Sequence, residues 1–163
     1  MKHLISIFIL VAFLSPPMSA SANWFLGAKA GNMAVSFDND DVDSDPFSTG
    51  VTIGYDLSTS LQGLAAEFEI TRTVSPGEVV DQDLEVDSQG LYLSYQTTGQ
   101  FYFKGRLGLM DASLSAGALS EDEGGESYGL ALGVRQGQLA YELDFTAIDD
   151  DVSFISLGVI FRL

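Results

Sequence analysis

Pairs of carboxylates separated by a single residue are the side chains of this 163-residue sequence best suited to chemistry. Examples are Glu67 with Glu69 and Glu142 with Asp144. Carboxylates at this spacing share one face of a β-strand, where they could perform acid–base catalysis or form a proton path. Lys104 and Arg106 alternate in the same way and offer ion-pair partners. Because a buried charge without a partner is costly, the pattern favours ion pairing over catalysis.

Composition excludes several other kinds of site. There is no cysteine, and the only histidine is His3, near the N-terminus. Cysteine-based zinc or iron–sulfur sites are therefore excluded, and so is Ser–His or Cys–His catalysis in a chain that has lost its N-terminal segment. The 23 acidic residues outnumber the 7 basic ones. Nucleic-acid phosphates need a basic surface, so nucleic acid is not an expected partner, and no cofactor is expected.

One short acidic run matches part of a calcium-binding loop. Asp41, Asp43 and Asp45 occupy the first three ligand positions of an EF-hand loop. Pro46 stands where that loop requires glycine, and Thr52 where it requires a bidentate glutamate. The three aspartates are therefore weak metal candidates, although diffuse binding of Ca²⁺ or Mg²⁺ by acidic loops stays open.

Most other acids concentrate in segments that we predict to be loops. These segments lie within residues 38–45, 78–87, 121–126 and 149–151. One interpretation is a solvated surface whose like charges repel and keep the loops extended. Another is contact with lipopolysaccharide through bridging divalent ions. The sequence does not rank these interpretations against diffuse metal binding.

Residues 1–22 have the three regions of a secretory signal peptide. Lys2 gives a basic start, residues 4–14 form an apolar run, and small residues precede an expected cleavage after Ala22. The run is too short for a transmembrane helix, which needs about 20 apolar residues. The expected mature chain, residues 23–163, has the length of one domain.

From Trp24 onward the side chains alternate with a period of two, which predicts β-strands. Eight segments show this alternation, beginning near residues 23, 49, 63, 88, 101, 127, 139 and 152. Long and short connections alternate between them, as in an up-and-down meander whose loops are elaborated at one end. No segment shows convincing helical periodicity.

The two faces of the predicted strands differ in character. One face carries large apolar side chains and no charge, whereas the other carries ten of the 17 glycines and ten charged residues. The charged residues are Lys29, Asp56, Glu67, Glu69, Lys104, Arg106, Arg135, Glu142, Asp144 and Arg162. The interior of an eight-stranded barrel is only just wide enough for side chains, so the glycine-rich charged face fits inside and the apolar face must meet lipid. The sequence therefore predicts an all-β, eight-stranded antiparallel transmembrane barrel.

The charged residues of the inward face include acids and bases at similar depth. We expect them to interlock into a network that closes the lumen, because such charges are stable only when paired. The inward glycines argue the other way, since they leave gaps that water could fill. No stable open pore is expected, because open channels have about 16 strands.

Three segments resemble small outer-membrane barrels of the OmpA/OmpX-like superfamily. They are Trp-Phe-Leu-Gly-Ala-Lys at 24–29, Phe-Lys-Gly-Arg-Leu-Gly-Leu at 103–109, and the C-terminal segment. The family's assembly pattern falls on Ser156, Gly158, Phe161 and Leu163, with leucine standing last where the family usually has phenylalanine. The resemblance implies location in the outer membrane of a Gram-negative bacterium. It also implies contact with outer-membrane lipid and lipopolysaccharide, and with the barrel-assembly machinery.

Activity is only loosely constrained by this resemblance, because the superfamily includes anchors, adhesins, resistance factors and a few enzymes. We expect a non-enzymatic protein that acts in envelope maintenance or surface interaction through acidic extracellular loops. The main rival is a small ion or solute channel. A soluble periplasmic barrel and a membrane-embedded enzyme are the further alternatives.

Overall fold

The computed structural model describes residues 23–35, 42–57, 62–79, 82–116, 119–148 and 152–163. Within these residues there are eight long strands and two short ones. They are β1 (Trp24–Val35), β2 (Val42–Ser44), β3 (Phe47–Asp56), β4 (Leu64–Ser75), β5 (Gly77–Val79), β6 (Gln82–Gln96), β7 (Phe101–Ala116), β8 (Leu119–Gln136), β9 (Leu139–Ala147) and β10 (Val152–Arg162).

The eight long strands form a closed antiparallel barrel. Each long strand pairs with the long strand before it and the long strand after it in the chain. The first, β1, pairs with the last, β10, and so closes the barrel. The closing register runs from Phe25 opposite Arg162 to Val35 opposite Val152. This arrangement confirms the predicted fold. No helix among the described residues is long and apolar enough to cross a membrane.

The lipid-facing surface is formed by the predicted apolar face, which we call the apolar belt. Its side chains point away from the lumen, and many are more than half exposed. Examples are Val51, Leu91, Leu93, Leu107, Leu109, Leu130, Leu132, Ile155 and Leu157. An outward apolar surface of this kind fits a bilayer and does not fit a soluble periplasmic barrel.

Two strands begin earlier than predicted. β6 begins at Gln82 rather than near residue 88, and β8 at Leu119 rather than near residue 127. In β6 the alternation continues with its polarity reversed, since Leu84 and Val86 are buried while Asp83, Glu85 and Asp87 are exposed. The short strands β2 and β5 have three residues each, too few to show a period.

The early starts create a sheet that rises beyond the apolar belt. We call it the wall: residues 82–89 of β6, 110–116 of β7 and 119–127 of β8. β5 pairs with the free side of β6, and β2 pairs with β5. The inner face of the wall packs on an apolar cluster, which we call the cap. Its members are Met33, Val35, Leu84, Val86, Tyr92, Met110, Ala112, Ile148, Val152 and Phe154.

Candidate functional site

Four charged residues form a closed ring of ion pairs at mid-height in the lumen. Arg106 on β7 lies 2.7 Å from Glu69 on β4 and 3.0 Å from Asp144 on β9, measured from guanidinium nitrogen to carboxylate oxygen. Lys29 on β1 lies 2.8 Å from Glu69 and 3.6 Å from Asp144. We call these four residues the charge ring. Each pair spans one intervening strand, so the ring joins strands spaced around the whole barrel.

A second set of ion pairs adjoins the ring. Lys104 lies 2.7 Å from Glu142 and 3.7 Å from Glu67, and Arg106 lies 4.0 Å from Glu67. Tyr102 donates a hydrogen bond of 2.7 Å to Glu142. Lys104, Glu67 and Glu142 join the four residues of the charge ring in a network of three bases and four acids. All seven side chains are less than a tenth exposed.

Hydroxyl groups donate further hydrogen bonds to the buried carboxylates. Ser94 donates to Glu67 at 2.6 Å, Thr52 to Glu69 at 3.3 Å, and Thr146 to Asp144 at 2.7 Å; Arg106 also contacts Thr146. One oxygen of Glu67, Oε2, has no hydrogen-bond partner in the described part of the chain. Buried carboxylates held in this way are suited to crosslinking strands rather than to acting as a free base.

The remaining inward bases lie nearer the short-turn end of the barrel, outside the network. Arg162 pairs with Asp56. Arg135 donates to the Gln96 side-chain oxygen at 3.2 Å, and its guanidinium lies 5.0 Å from the centre of the Tyr102 ring. The structure therefore divides the predicted set of inward charges into two layers.

Aromatic residues inside the lumen were not singled out from the sequence. Phe25 lies over Gly54, Tyr102 over Gly133, and Tyr92 beside Gly90 and Gly108, so a Cβ atom at any of these glycines would meet a ring. The expectation that inward glycines leave gaps for water is therefore wrong at these positions. Their signal was available, because Phe25 has the strand parity of Lys29, Tyr102 that of Lys104, and Tyr92 that of the inward Gly90.

The lumen is closed at two levels. The cavity lined by Lys29, Glu69, Arg106 and Asp144 has a volume of about 20 Å³, space for one water. On the wall side the cap covers the network, and the Phe154 ring lies 4.7 Å from the Lys29 ammonium. The side chains of the network and of the cap are buried, so these two layers fill much of the lumen among the described residues.

Acidic side chains cover the outer face of the wall and its surroundings. Eight described acids are exposed there, namely Asp45, Glu78, Asp83, Glu85, Asp87, Asp111, Asp122 and Glu126. The exposed base Arg72 lies 3.9 Å from Asp87. Placing residues 78–87 and 121–126 in loops is wrong for most of these acids, since they lie on strands whose alternation continues past the belt.

The weak metal candidates do not form a described site. Asp41 lies outside the described residues, Asp43 lies on β2, and Asp45 is exposed between β2 and β3. No group of three histidines or carboxylates is arranged to hold a metal ion within the ranges that the structure describes.

The four residues of the expected assembly pattern lie on or just after β10. Ser156 is buried in the lumen. Gly158 lies beside Lys29, and a Cβ atom at Gly158 would be 3.4 Å from the Cβ atom of Lys29. Phe161 and Leu163 face outward, 41% and 52% exposed. The backbone N–H of Leu163 donates to the carbonyl of Trp24 at 3.0 Å, next to the closing β1–β10 seam.

Residues 6–158 match the family model described as "Outer membrane protein beta-barrel domain". The chain belongs to this family. Membership places it in the outer membrane of a Gram-negative bacterium. The wall is at the end of the barrel with the longer connections, and in such barrels that end faces the outside of the cell. Cleavage after Ala22 stays a prediction, because residues 1–22 lie outside the described part.

Solved structures of other outer-membrane barrels share the fold. Neisserial surface protein A is 17% identical with a TM-score of 0.58, covering 89% of this chain and 100% of its own. Ail, the attachment invasion locus protein of Yersinia pestis, is 17% identical with a TM-score of 0.61, covering 88% and 100%. The N-terminal barrel domain of Pseudomonas aeruginosa OprF is 14% identical with a TM-score of 0.52, covering 88% and 100%. No curated protein sequence matches this chain significantly.

Proposed function

We propose that this outer-membrane barrel is a non-enzymatic surface protein that works from the outer face of its wall, in envelope maintenance or surface interaction. The observation that carries the proposal is the closed lumen. The charge network and the cap occupy it at two levels, so a ligand or substrate has no described route inside. The exposed acids of the wall form a charged surface outside the lumen, which a partner can reach.

The position of these acids supports a role at the lipopolysaccharide layer. Leu91 and Leu109 form an outward pair in the belt, and the next outward pair is Gln89 with Asp111. The wall therefore emerges where the lipid head groups lie. Because lipopolysaccharide phosphates and wall carboxylates repel each other, we propose that divalent cations bridge them.

The acidity of the wall also argues against polyanion binding by this chain. One related structure is of Ail in complex with the heparin analogue sucrose octasulfate. A sulfated ligand needs clustered bases, whereas this exterior has eight exposed acids and an exposed Arg72 already close to Asp87. We therefore propose that partners of the wall are cationic or are reached through cations.

Shortening the wall tests the proposal. Deleting residues 113–122 joins Ala112 and Glu123, which are paired in the barrel, and an Asn-Gly turn can connect them. The shortened protein should still insert and show the heat-dependent gel shift of a folded barrel, while the resistance of the cells to EDTA and detergents falls. Unchanged resistance, or sustained ion conductance by the intact barrel, would overturn the proposal.

A matched experiment isolates the cation bridge. We expect Mg²⁺ to raise the urea midpoint of the protein in lipopolysaccharide vesicles, and not in phospholipid vesicles. Neutralising Asp87 and Asp111 to asparagine should remove most of this Mg²⁺ effect. An equal Mg²⁺ effect in both vesicle types would contradict bridging to lipopolysaccharide.

A further inference from the structure

The cavity of about 20 Å³ in the lumen is lined by both sets of ion pairs. Besides the four residues of the charge ring, Lys104 and Glu142 of the second set lie on its surface. Thr52, Gly158 and Ile160 are among the other lining residues. The charged groups around the cavity are therefore three bases and three acids, and a molecule bound there would contact both sets.

This balance of charge selects the kind of ligand. A cation in the cavity would face three bases and an anion would face three carboxylates, so neither would recover the free energy of its lost hydration. A water molecule both donates and accepts, and a buried water makes about three hydrogen bonds. The volume of about 20 Å³ also exceeds the roughly 10–15 Å³ that one water requires.

Polar atoms of the lining have hydrogen-bonding capacity for such a water. The Lys29 side chain is 7% exposed, and its Nζ lies 2.8 Å from Glu69 without a hydrogen bond of good geometry to any residue that the structure describes. An ammonium group has three N–H donors. Asp144 uses Oδ1 for its contacts with Arg106 and Thr146, so its Oδ2 takes no part in them. One water can accept from Lys29 and donate to a carboxylate of the lining.

Gly158 on β10 leaves room for this molecule. It pairs with Lys29 on one side and Glu142 on the other, and it has the strand parity of the buried Ser156. A Cβ atom at Gly158 would lie 3.4 Å from the Lys29 Cβ atom and 3.5 Å from the Ala28 carbonyl oxygen, which are ordinary contact distances. A small side chain therefore fits at this position, so packing of the protein atoms alone does not require glycine there.

We propose that Gly158 keeps open a binding site for one ordered water molecule, which joins the charge ring to the Lys104–Glu142 pair. The water accepts a hydrogen bond from the Lys29 ammonium and donates to carboxylate oxygens of the lining. This role of Gly158 is separate from the assembly pattern in which the sequence resemblance places it. It concerns the lumen and does not depend on what the wall binds.

A direct test looks for the water in the protein refolded in detergent micelles with isotope-labelled isoleucine methyl groups. Ile160 lines the cavity and is 8% exposed, and its methyl groups should show a nuclear Overhauser effect to a long-lived water. Ile53 is 43% exposed on the lipid face and should show none. Gly158→Ala should remove the effect at Ile160, because the new methyl group takes the space. Absence of a long-lived water at Ile160 in the parent protein would overturn the proposal.

Two variants of Gly158 separate hydrogen bonding from space. Gly158→Ala displaces the water and leaves its partners unsatisfied, whereas Gly158→Ser places a hydroxyl group in the cavity. We expect the folding equilibrium constant of the serine variant to be about tenfold larger than that of the alanine variant. Refolding in micelles uses no assembly machinery, so a role of Gly158 in assembly does not enter the comparison. Both variants are checked by the heat-dependent gel shift, and equal constants would contradict the proposal.

Two controls complete the test. A Cβ atom at Gly125 would meet nothing within 4 Å, so Gly125→Ala and Gly125→Ser should have folding constants within about twofold of each other. Replacing sodium chloride by choline acetate should not change the difference in urea midpoint between the parent protein and Gly158→Ala. Loss of that difference would identify a bound inorganic ion in place of water and would overturn the proposal.

Discussion

Lys29 and Arg106, on diametrically opposite strands, bind the same two carboxylates. β1 and β7 are four strands apart in either direction around the eight-stranded barrel, and so are β4 and β9, which carry Glu69 and Asp144. The four groups therefore brace the barrel across two perpendicular diameters. Each carboxylate depends on both bases, so loss of one base affects strands on both sides of the lumen.

Arg106→Ala should lower the free energy of unfolding by about 3–5 kcal/mol, because it leaves Glu69 and Asp144 buried with Lys29 as their shared base. Urea unfolding in lipid vesicles measures the change. Arg72→Ala is the control, since Arg72 is mostly exposed and lies 3.9 Å from Asp87; it should cost less than about 1 kcal/mol. Equal losses for the two variants would mean that the ring does not brace the barrel.

In planar bilayers the intact protein should show no sustained conductance steps. Arg106→Ala alone should also stay closed, because the cap still covers the lumen. Steps should appear when Arg106→Ala is combined with Met33→Ala and Phe154→Ala, which remove two side chains of the cap with at most 1% exposure. Ion-selective steps from the unaltered protein would show that the lumen is not closed.

Leu132→Arg should destabilise the barrel in lipid by about 2–4 kcal/mol, because it places a charge on the lipid face near mid-depth. Leu132 is 60% exposed and pairs with Phe103 and Leu143, both in the belt. Glu126→Arg, on the same strand and face, replaces a residue that is already charged and exposed, and should have little effect on unfolding. A similar loss for both would place the membrane boundary higher than the belt indicates.

Gly133→Ala should cost about 1–3 kcal/mol in the free energy of unfolding, since the new Cβ atom meets the buried Tyr102 ring. The matched variant Gly125→Ala meets nothing within 4 Å and should stay within about 0.5 kcal/mol of the parent. Because Tyr102 also donates a hydrogen bond to Glu142, Tyr102→Leu has a cost of its own, and Gly133→Ala is therefore compared in the parent and in Tyr102→Leu. Gly133→Ala should cost less in the Tyr102→Leu protein, and an equal cost in both would mean that the ring is not the source of the strain.

The fold and the inward placement of the charges were predictable, because strand parity assigns each residue to a face. Glu67, Glu69, Lys104 and Arg106 have the inward parity. Parity does not give the stagger between strands, so it does not say which base meets which acid. The ring depends on that stagger, above all on the β1–β10 register that places Lys29 opposite Gly158.

The wall is harder to predict, because runs of acids are typical of loops. Along residues 83–87 the acids alternate with Leu84 and Val86, which is the pattern of a strand with a wet outer face. The cap that buries those two side chains collects residues from distant parts of the chain, including Met33 and Phe154. A pattern within one segment of the sequence does not predict a cluster of residues from several segments.

The abrupt change from Leu91–Leu109 to Gln89–Asp111 on the outer surface fixes the vertical position of the molecule in its membrane. Outward neighbours along a strand are about 6.8 Å apart, roughly 5 Å along the membrane normal at the usual tilt. Sinking by that amount would draw Asp111 into hydrocarbon, and rising by it would expose two leucines to water. The barrel should therefore hold its depth when bilayer thickness changes and make the surrounding lipid adjust, so short-chain and long-chain lipids should differ in local packing rather than in protein immersion.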